Sequence, residues 1–224
     1  MGFTIGGIRD LRSGVRRRSR PPESTVVAEY TALWGWDVVP GARARSSGGE
    51  DGPVQCSCGA AHCPLPGAHP LRTAREVKAG TTLAEVAGAW TAAPGSTVLL
   101  PVGRSFDVIE VSEPAGRRAL VRLERMGLPL GPITVTPLGR VQFFVAPGAA
   151  AALPELLYRM GWDDADLDLR CLGTGNHITA PPSDLAGRGP VRWLRAPTLD
   201  SAVQPPQARL LLGTLAYVCH RSRS

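Results

Sequence analysis

Apolar and polar positions follow two different periods along the chain, and the changes of period predict its helices and strands. Apolar residues recur at helical spacing in segments 24–36, 81–90, 114–126, 151–160 and 205–219. Short apolar or alternating runs predict strands over 36–40, 98–100, 106–111, 133–136, 141–145, 167–170 and 177–180. Because helices and strands alternate irregularly and include a hairpin, the pattern favours an α+β fold, with a mixed or antiparallel sheet and flanking helices.

The pattern also predicts how the chain is organised. We expect a basic arm over 1–24, a folded domain over 25–200 with an inserted Cys/His loop at 54–70, and a C-terminal helix over 205–221. No apolar run reaches the ~18 residues of a membrane span. The N-terminus lacks the apolar stretch of a secretory signal, and five cysteines are an odd number for a disulfide framework. These features predict a cytoplasmic protein.

The basic charge of the chain suits a protein that binds nucleic acid. The net charge is +6, and Lys78 is the only lysine among 25 basic residues. Arginine binds phosphate well, but genomic base composition also replaces lysine by arginine. That bias does not explain the clustering near the N-terminus, where candidate nucleic-acid contacts are Arg12, Arg16, Arg17, Arg18 and Arg20. The arm is therefore either a nucleic-acid contact or a solvated tail.

Cysteines and histidines cluster in a loop rich in glycine and proline. Zinc prefers four tetrahedral Cys or His ligands, and a loop so poor in core residues needs another source of order. The predicted zinc ligands are Cys56, Cys58, Cys63 and His69. His62 is the less favourable fourth ligand because it is adjacent to Cys63. The alternative interpretation is a surface loop with free thiols.

Two strands bring acidic residues together with an arginine. Alternation along 106–111 places Glu110 on the opposite face from Asp107, and Ser112 continues the Glu110 face. Along 166–170, Asp168 and Arg170 share one face. Such a set can bind metal and phosphate, or it can be the polar side of a half-buried strand.

The order of these pieces resembles the N-terminal domain of bifunctional DNA primase–polymerases (Prim-Pol), from about Tyr30 to Trp193. The most specific part is the Asp-Leu-Arg segment ending at Arg170, followed by a glycine turn and the Ala-Pro-Pro-Ser sequence that ends at Ser183. The Cys/His loop also belongs to the resemblance. The resemblance implies DNA primase and DNA polymerase activity, with DNA and nucleotides as ligands and Mg²⁺ or Mn²⁺ as cofactors if the domain is active.

The resemblance includes departures at the positions that would carry catalysis. In the family, two acids at i and i+2 on the central strand and a third acid before the arginine hold two divalent metals. Here the first acid position matches Glu110, the second matches Ser112, and Asp168 and Arg170 remain.

The hairpin and the Cys/His loop depart from the family as well. The histidine of the family's Gly-Gly-x-His hairpin, which contacts the nucleotide, falls at Val141 or Gln142, and one glycine is missing beside Gly139. A lysine common in the Cys/His loop is replaced by Ala68.

Three hypotheses follow from this combination. The first is a primase/polymerase-like domain that binds nucleic acid or nucleotide and has lost most or all nucleotidyl transfer. The second is an active primase–polymerase with a rearranged metal site that uses Glu110, Asp168 and Glu113. The third is a non-catalytic zinc-loop module that docks a helicase or another replication protein on a separate chain.

Overall fold

The computed structural model describes residues 23–46 and 54–223. The helices are α1 (Glu23–Ala28, continued by a π-helical turn over Glu29–Leu33), α2 (Leu83–Thr91), α3 (Glu113–Arg125), α4 (Ala149–Arg159), α5 (Leu199–Val203) and α6 (Ala208–Arg223). The strands are β1 (Val39–Gly41), β2 (Ala44–Ser46), β3 (Val54–Cys56), β4 (Thr97–Pro101), β5 (Asp107–Ser112), β6 (Ile133–Val135), β7 (Arg140–Val145), β8 (Leu169–Leu172), β9 (His177–Thr179) and β10 (Arg192–Arg195). Among the described residues, no helix combines the length and hydropathy that a membrane span requires.

The strands form two larger sheets and a two-stranded ribbon, and all their described pairings are antiparallel. The five-stranded sheet has the order β10-β6-β7-β5-β8, the three-stranded sheet has the order β1-β4-β9, and β2 pairs with β3. The predicted α+β fold is confirmed, and β6 and β7 form the predicted hairpin. The structure adds that β4 and β5, like β8 and β9, are neighbours in sequence but belong to different sheets.

One face of the five-stranded sheet is covered by helices α3, α4 and α6. Ile109 and Val111 of β5 lie on this face, in a core that includes Leu123 of α3 and Leu215 of α6. Helix α3 comes close to β7 because Gly116 has no side chain. A Cβ at this position would lie 2.5 Å from the Cβ of Val141.

The other face of the five-stranded sheet shares a second core with the three-stranded sheet and with α1 and α2. Trp36 lies in its aromatic cluster, with ring centroids 5.0 Å from Phe106 and 5.5 Å from Phe144. Phe106, just before β5, and Val108 in β5 are buried in this core, as the alternation along this segment predicts. Glu110 follows them on the same side of the strand, which directs its carboxylate into the space between the sheets.

Candidate functional site

Glu110 lies on β5, between β7 and β8 of the five-stranded sheet, and is almost completely buried. Its cross-strand neighbours are Gln142 on β7 and Arg170 on β8. Only 3% of its side chain is exposed. A carboxylate at such depth is costly unless charged or hydrogen-bonding groups compensate it, so its partners decide what this site can do.

Three side chains donate hydrogen bonds to the Glu110 carboxylate. The Arg170 guanidinium lies 2.6 Å from Oε1, and Arg140 Nε lies 3.1 Å from the same oxygen. Gln142 Nε2 donates to Oε2 at 2.8 Å. Thr134 holds the Gln142 amide in this orientation, because its hydroxyl donates to Gln142 Oε1 at 2.9 Å. Both oxygens of Glu110 are therefore engaged by protein groups.

Arg140 links Glu110 to the second candidate carboxylate, Asp168. Its Nη1 donates to both Asp168 oxygens, at 2.7 and 2.8 Å. Burial lowers the pKa of the Arg140 guanidinium, but the Asp168 and Glu110 carboxylates outweigh it and raise that pKa above its ordinary value. Two carboxylates and two guanidiniums thus form one compensated cluster, which we call the Glu110–Arg140 cluster: Glu110, Arg140, Gln142, Asp168 and Arg170.

The Glu110–Arg140 cluster borders a cavity of about 250 Å³ that lies between the two sheets and the Cys/His loop. The strand β9 reaches this cavity from the three-stranded sheet with His177 and Thr179, and the loop contributes Leu65 and Ala68. Burial lowers the pKa of His177, against the smaller opposing effect of the Glu76 charge. The cavity, together with the cluster, is called the cleft below.

The other acidic candidates lie away from the cleft. Asp107 is on the opposite face of β5, as the alternation predicts, and accepts a hydrogen bond from the backbone N–H of Ala150 at 2.8 Å. Glu113, in the first turn of α3, pairs with Arg117 at 2.8 Å. Asp168, by contrast, belongs to the cluster. It immediately precedes β8, which begins at Leu169, and like Arg170 it binds a cluster partner, while Leu167 and Leu169 pack against the helix-covered core as the alternation predicts.

The Cys/His loop brings its four predicted ligands together. One ligand atom from each of Cys56, Cys58, Cys63 and His69 lies within 4.8 Å of the other three. Tetrahedral zinc with bonds of about 2.0–2.3 Å needs ligand atoms roughly 3.5–3.8 Å apart, so this set fits zinc after a small contraction. His62 lies outside the cluster, in agreement with its rank as the weaker candidate.

The chemistry of two ligands is already suited to a metal. His69 Nδ1 lies 2.9 Å from the carbonyl oxygen of Pro70, which can only accept, so Nδ1 carries the proton and Nε2 is free to ligate. Burial raises the pKa of Cys56, but backbone amides of Cys58 and Gly67 and the His69 ring outweigh it and lower the pKa to about 6. Cys56 is thus mostly thiolate, the form that binds metal, at neutral pH.

Comparison with known proteins identifies the family. The family model described as "Bifunctional DNA primase/polymerase, N-terminal" (Prim-Pol) matches residues 27–208. The chain belongs to the Prim-Pol family. A search of curated proteins and a search of solved structures each found no match.

The residues that the resemblance matches to the Prim-Pol catalytic positions do not fit a pair of divalent metals. Such a pair needs several carboxylate oxygens with uncompensated negative charge. The charges of Glu110 and Asp168 are balanced by two guanidiniums, and Ser112 adds no charge. Ser112 stands where the family pattern has its second acid. Its cross-strand neighbour on β7 is Arg140, so an arginine lies directly beside the position of the absent carboxylate.

The structure also distinguishes the two candidate positions of the Prim-Pol hairpin histidine. Val141 is buried in the helix-covered core, whereas Gln142 lines the cleft. Of the two positions, Gln142 is the one placed to contact a ligand, and we expect the histidine of the Gly-Gly-x-His pattern to match it. The missing glycine, next to Gly139, would then be Arg140, the residue that compensates both carboxylates.

Sequence reasoning missed Arg140, His177 and Thr179. The hairpin pattern marked position 140 only as a missing glycine. β9 appeared only as a strand that ends in a proline turn, and no local signal indicated that its polar residues reach a cleft. The predicted arm contacts, Arg12, Arg16, Arg17, Arg18 and Arg20, lie outside the described residues, and their role stays a prediction.

Proposed function

We propose that this Prim-Pol domain binds phosphate groups of nucleotides or nucleic acid in the cleft and transfers nucleotides weakly or not at all. The observation that carries the proposal is the double pairing of Arg140 with Glu110 and Asp168. Binding a metal pair at these carboxylates requires Arg140 to leave both of them. The metals would have to replace the hydrogen bonds and charge that Arg140 already gives to the buried Glu110, which opposes metal binding.

Phosphate binding is supported by the charge that stays accessible. Arg170 pairs with Glu110 but keeps 65% of its side chain exposed, so it can contact a ligand without leaving its partner. Guanidinium groups bind phosphate through paired hydrogen bonds. In the proposal, the Cys/His loop binds one structural zinc and forms one wall of the cleft. DNA contacts of the basic arm would add affinity without sequence preference.

Primer extension and de novo priming with Mg²⁺ and with Mn²⁺ test the catalytic half of the proposal. We expect extension near background for the natural chain, with Glu110→Ala as the control. Brisk extension that Glu110→Ala abolishes would support an active enzyme with a rearranged metal site instead.

Salt-dependent DNA binding tests the binding half of the proposal. Affinity should fall by roughly 0.9 log units per log unit of salt for each duplex phosphate contacted. Deletion of residues 1–20 should reduce that slope. An unchanged slope would identify the arm as a solvated tail, and DNA binding would then depend on the folded domain alone.

A further inference from the structure

The strand β9 forms a wall of the cleft that the proposed function does not yet use. The chain leaves the five-stranded sheet at Leu172 and enters the three-stranded sheet at His177. Arg170 and His177 therefore belong to different sheets, although both line the same cavity. A ligand in this cavity would meet side chains from both sheets.

Thr179 has an unsatisfied hydroxyl in this wall. Thr179 is only 5% exposed, and within the described part of the chain its Oγ1 has no hydrogen-bond partner. A buried polar group without a partner costs about 1–3 kcal/mol, and native structures contain few of them. The hydroxyl oxygen itself has almost no accessible surface, but Thr179 lines the cavity, so a rotation of its side chain would let the hydroxyl form the hydrogen bond it lacks with a ligand there.

His177 lies two residues before Thr179, on the same side of the strand. Ile178, between them, is buried in the core shared by the two sheets and also borders the cavity. An imidazole and a hydroxyl are both able to donate hydrogen bonds to anionic oxygens. The carboxylates of the cluster are already compensated by arginines, so the groups left for a ligand are mainly donors.

We propose that His177 and Thr179 are ligand-binding residues that contact a phosphate group in the cleft from the side opposite Arg170. This inference rests on the proposed function. The cavity of about 250 Å³ is smaller than the 300–1,000 Å³ of typical small-molecule sites, so it suits phosphate groups rather than a whole nucleotide. The phosphate comes either from a free nucleotide or from a nucleic-acid backbone.

Calorimetric titrations without added Mg²⁺ or Mn²⁺ test the inference on the zinc-loaded full chain. The probes are inorganic tripolyphosphate, ATP, adenosine and a single-stranded oligonucleotide. Hydrogen bonds to charged groups contribute more than neutral ones, so His177→Ala should weaken tripolyphosphate and ATP binding about tenfold. Thr179→Val should weaken it about threefold. His220→Ala is the matched control, because His220 lies on α6 beside Trp162 and should leave affinity unchanged.

NMR spectra of the histidine rings test the same contact in the natural chain, so this result does not depend on whether a variant folds. The chain has four histidines, so His177→Gln assigns the signal by its loss. In the natural chain, tripolyphosphate should shift the His177 signal and leave the His220 signal in place. An unmoved His177 signal during saturable binding would overturn the inference.

The outcomes separate this inference from the proposed function. If Arg170→Ala weakens phosphate binding while His177→Ala and Thr179→Val do not, the inference is wrong and the proposed function stands. If the natural chain binds none of the phosphate-bearing probes, both are wrong. Loss of oligonucleotide binding alone in the β9 variants would support the inference with a nucleic-acid backbone as the phosphate source.

Discussion

The Cys/His loop and the Glu110–Arg140 cluster both contain residues that bind metals, but their neighbours differ. In the loop, backbone amides help to lower the pKa of Cys56 toward its metal-binding thiolate, and the Pro70 carbonyl holds the His69 proton on Nδ1. The groups described as acting on Cys56, Cys63 and His69 are backbone groups and other members of the ligand set, not guanidiniums. In the cluster, two guanidiniums already balance Glu110 and Asp168. The difference teaches that a metal site needs uncompensated ligands as well as ligand types at suitable spacing.

The largest expected effect is the loss of zinc from the loop. Elemental analysis should find about one zinc per natural chain and close to none in the double variant Cys56→Ser with Cys58→Ser. Structural zinc supplies an apparent binding free energy of about 10–16 kcal/mol in small zinc domains, so the loop should lose its order.

Histidine variants sharpen this prediction within the same loop. His69→Ala should lower zinc content, and the matched control His62→Ala should retain it, because His62 lies outside the ligand set. If natural protein prepared without chelators contains no zinc, the loop is not a zinc site and the proposed contrast in metal binding between loop and cluster is wrong.

The next effect concerns the ion pairs of the cluster. Arg140→Ala should lower the free energy of unfolding by about 2 kcal/mol, because it leaves Asp168 without this partner and Glu110 with only Arg170 and Gln142. Chemical denaturation measures the loss. The matched control is Arg117→Ala, whose exposed pair with Glu113 is worth at most about 0.5 kcal/mol. Equal losses in the two variants would show that the buried cluster is no stronger than a surface pair.

A reconstruction of the metal site tests whether Arg140 prevents the cluster from supporting nucleotidyl transfer. The variant combines Glu110→Asp, Ser112→Asp, Arg140→Gly and Gln142→His. Primer extension with Mn²⁺ should rise at least tenfold, which corresponds to about 1.4 kcal/mol of transition-state stabilisation.

The control for the reconstruction carries the same changes but keeps Arg140. We expect it to stay near background, because the arginine would pair with the new Asp at its cross-strand neighbour, position 112. Equal activity with and without Arg140 would contradict the role given to this residue.

The smallest effect concerns pH and the β9 wall of the cleft. Burial lowers the pKa of His177 in the folded state, so the unfolded chain takes up a proton first as the pH falls below about 6.5. The contribution of neutral His177 to stability is present above that pH and is lost as the pH falls. Between pH 7 and 5, His177→Gln should lose less stability than the natural chain. The difference stays below about 1.4 kcal/mol per pH unit, the value for one whole proton. Urea denaturation measures the stability of both chains at each pH. The same pH dependence for the natural chain and His177→Gln would contradict this prediction.

The sequence by itself determined the α+β class, most helices and strands, and the membership of a family whose motifs survive near Arg170 and Ser183. Local periodicity carries this information because each helix or strand buries one face. The cluster of Cys56, Cys58, Cys63 and His69 was also predictable, since all four lie within fourteen residues of a loop that has few other sources of order.

Only the tertiary structure decided how the strands divide between two sheets and what surrounds Glu110. Arg140 and Arg170 approach that carboxylate from chain positions 30 and 60 residues away, and Asp168 joins them through Arg140. His177 reaches the cleft only because the chain changes sheets between β8 and β9. Alternation predicts which face of a strand a side chain occupies, but the charges it meets there depend on strand order and register. Charge compensation is therefore a property of the assembled sheets, and no local pattern in the sequence reports it.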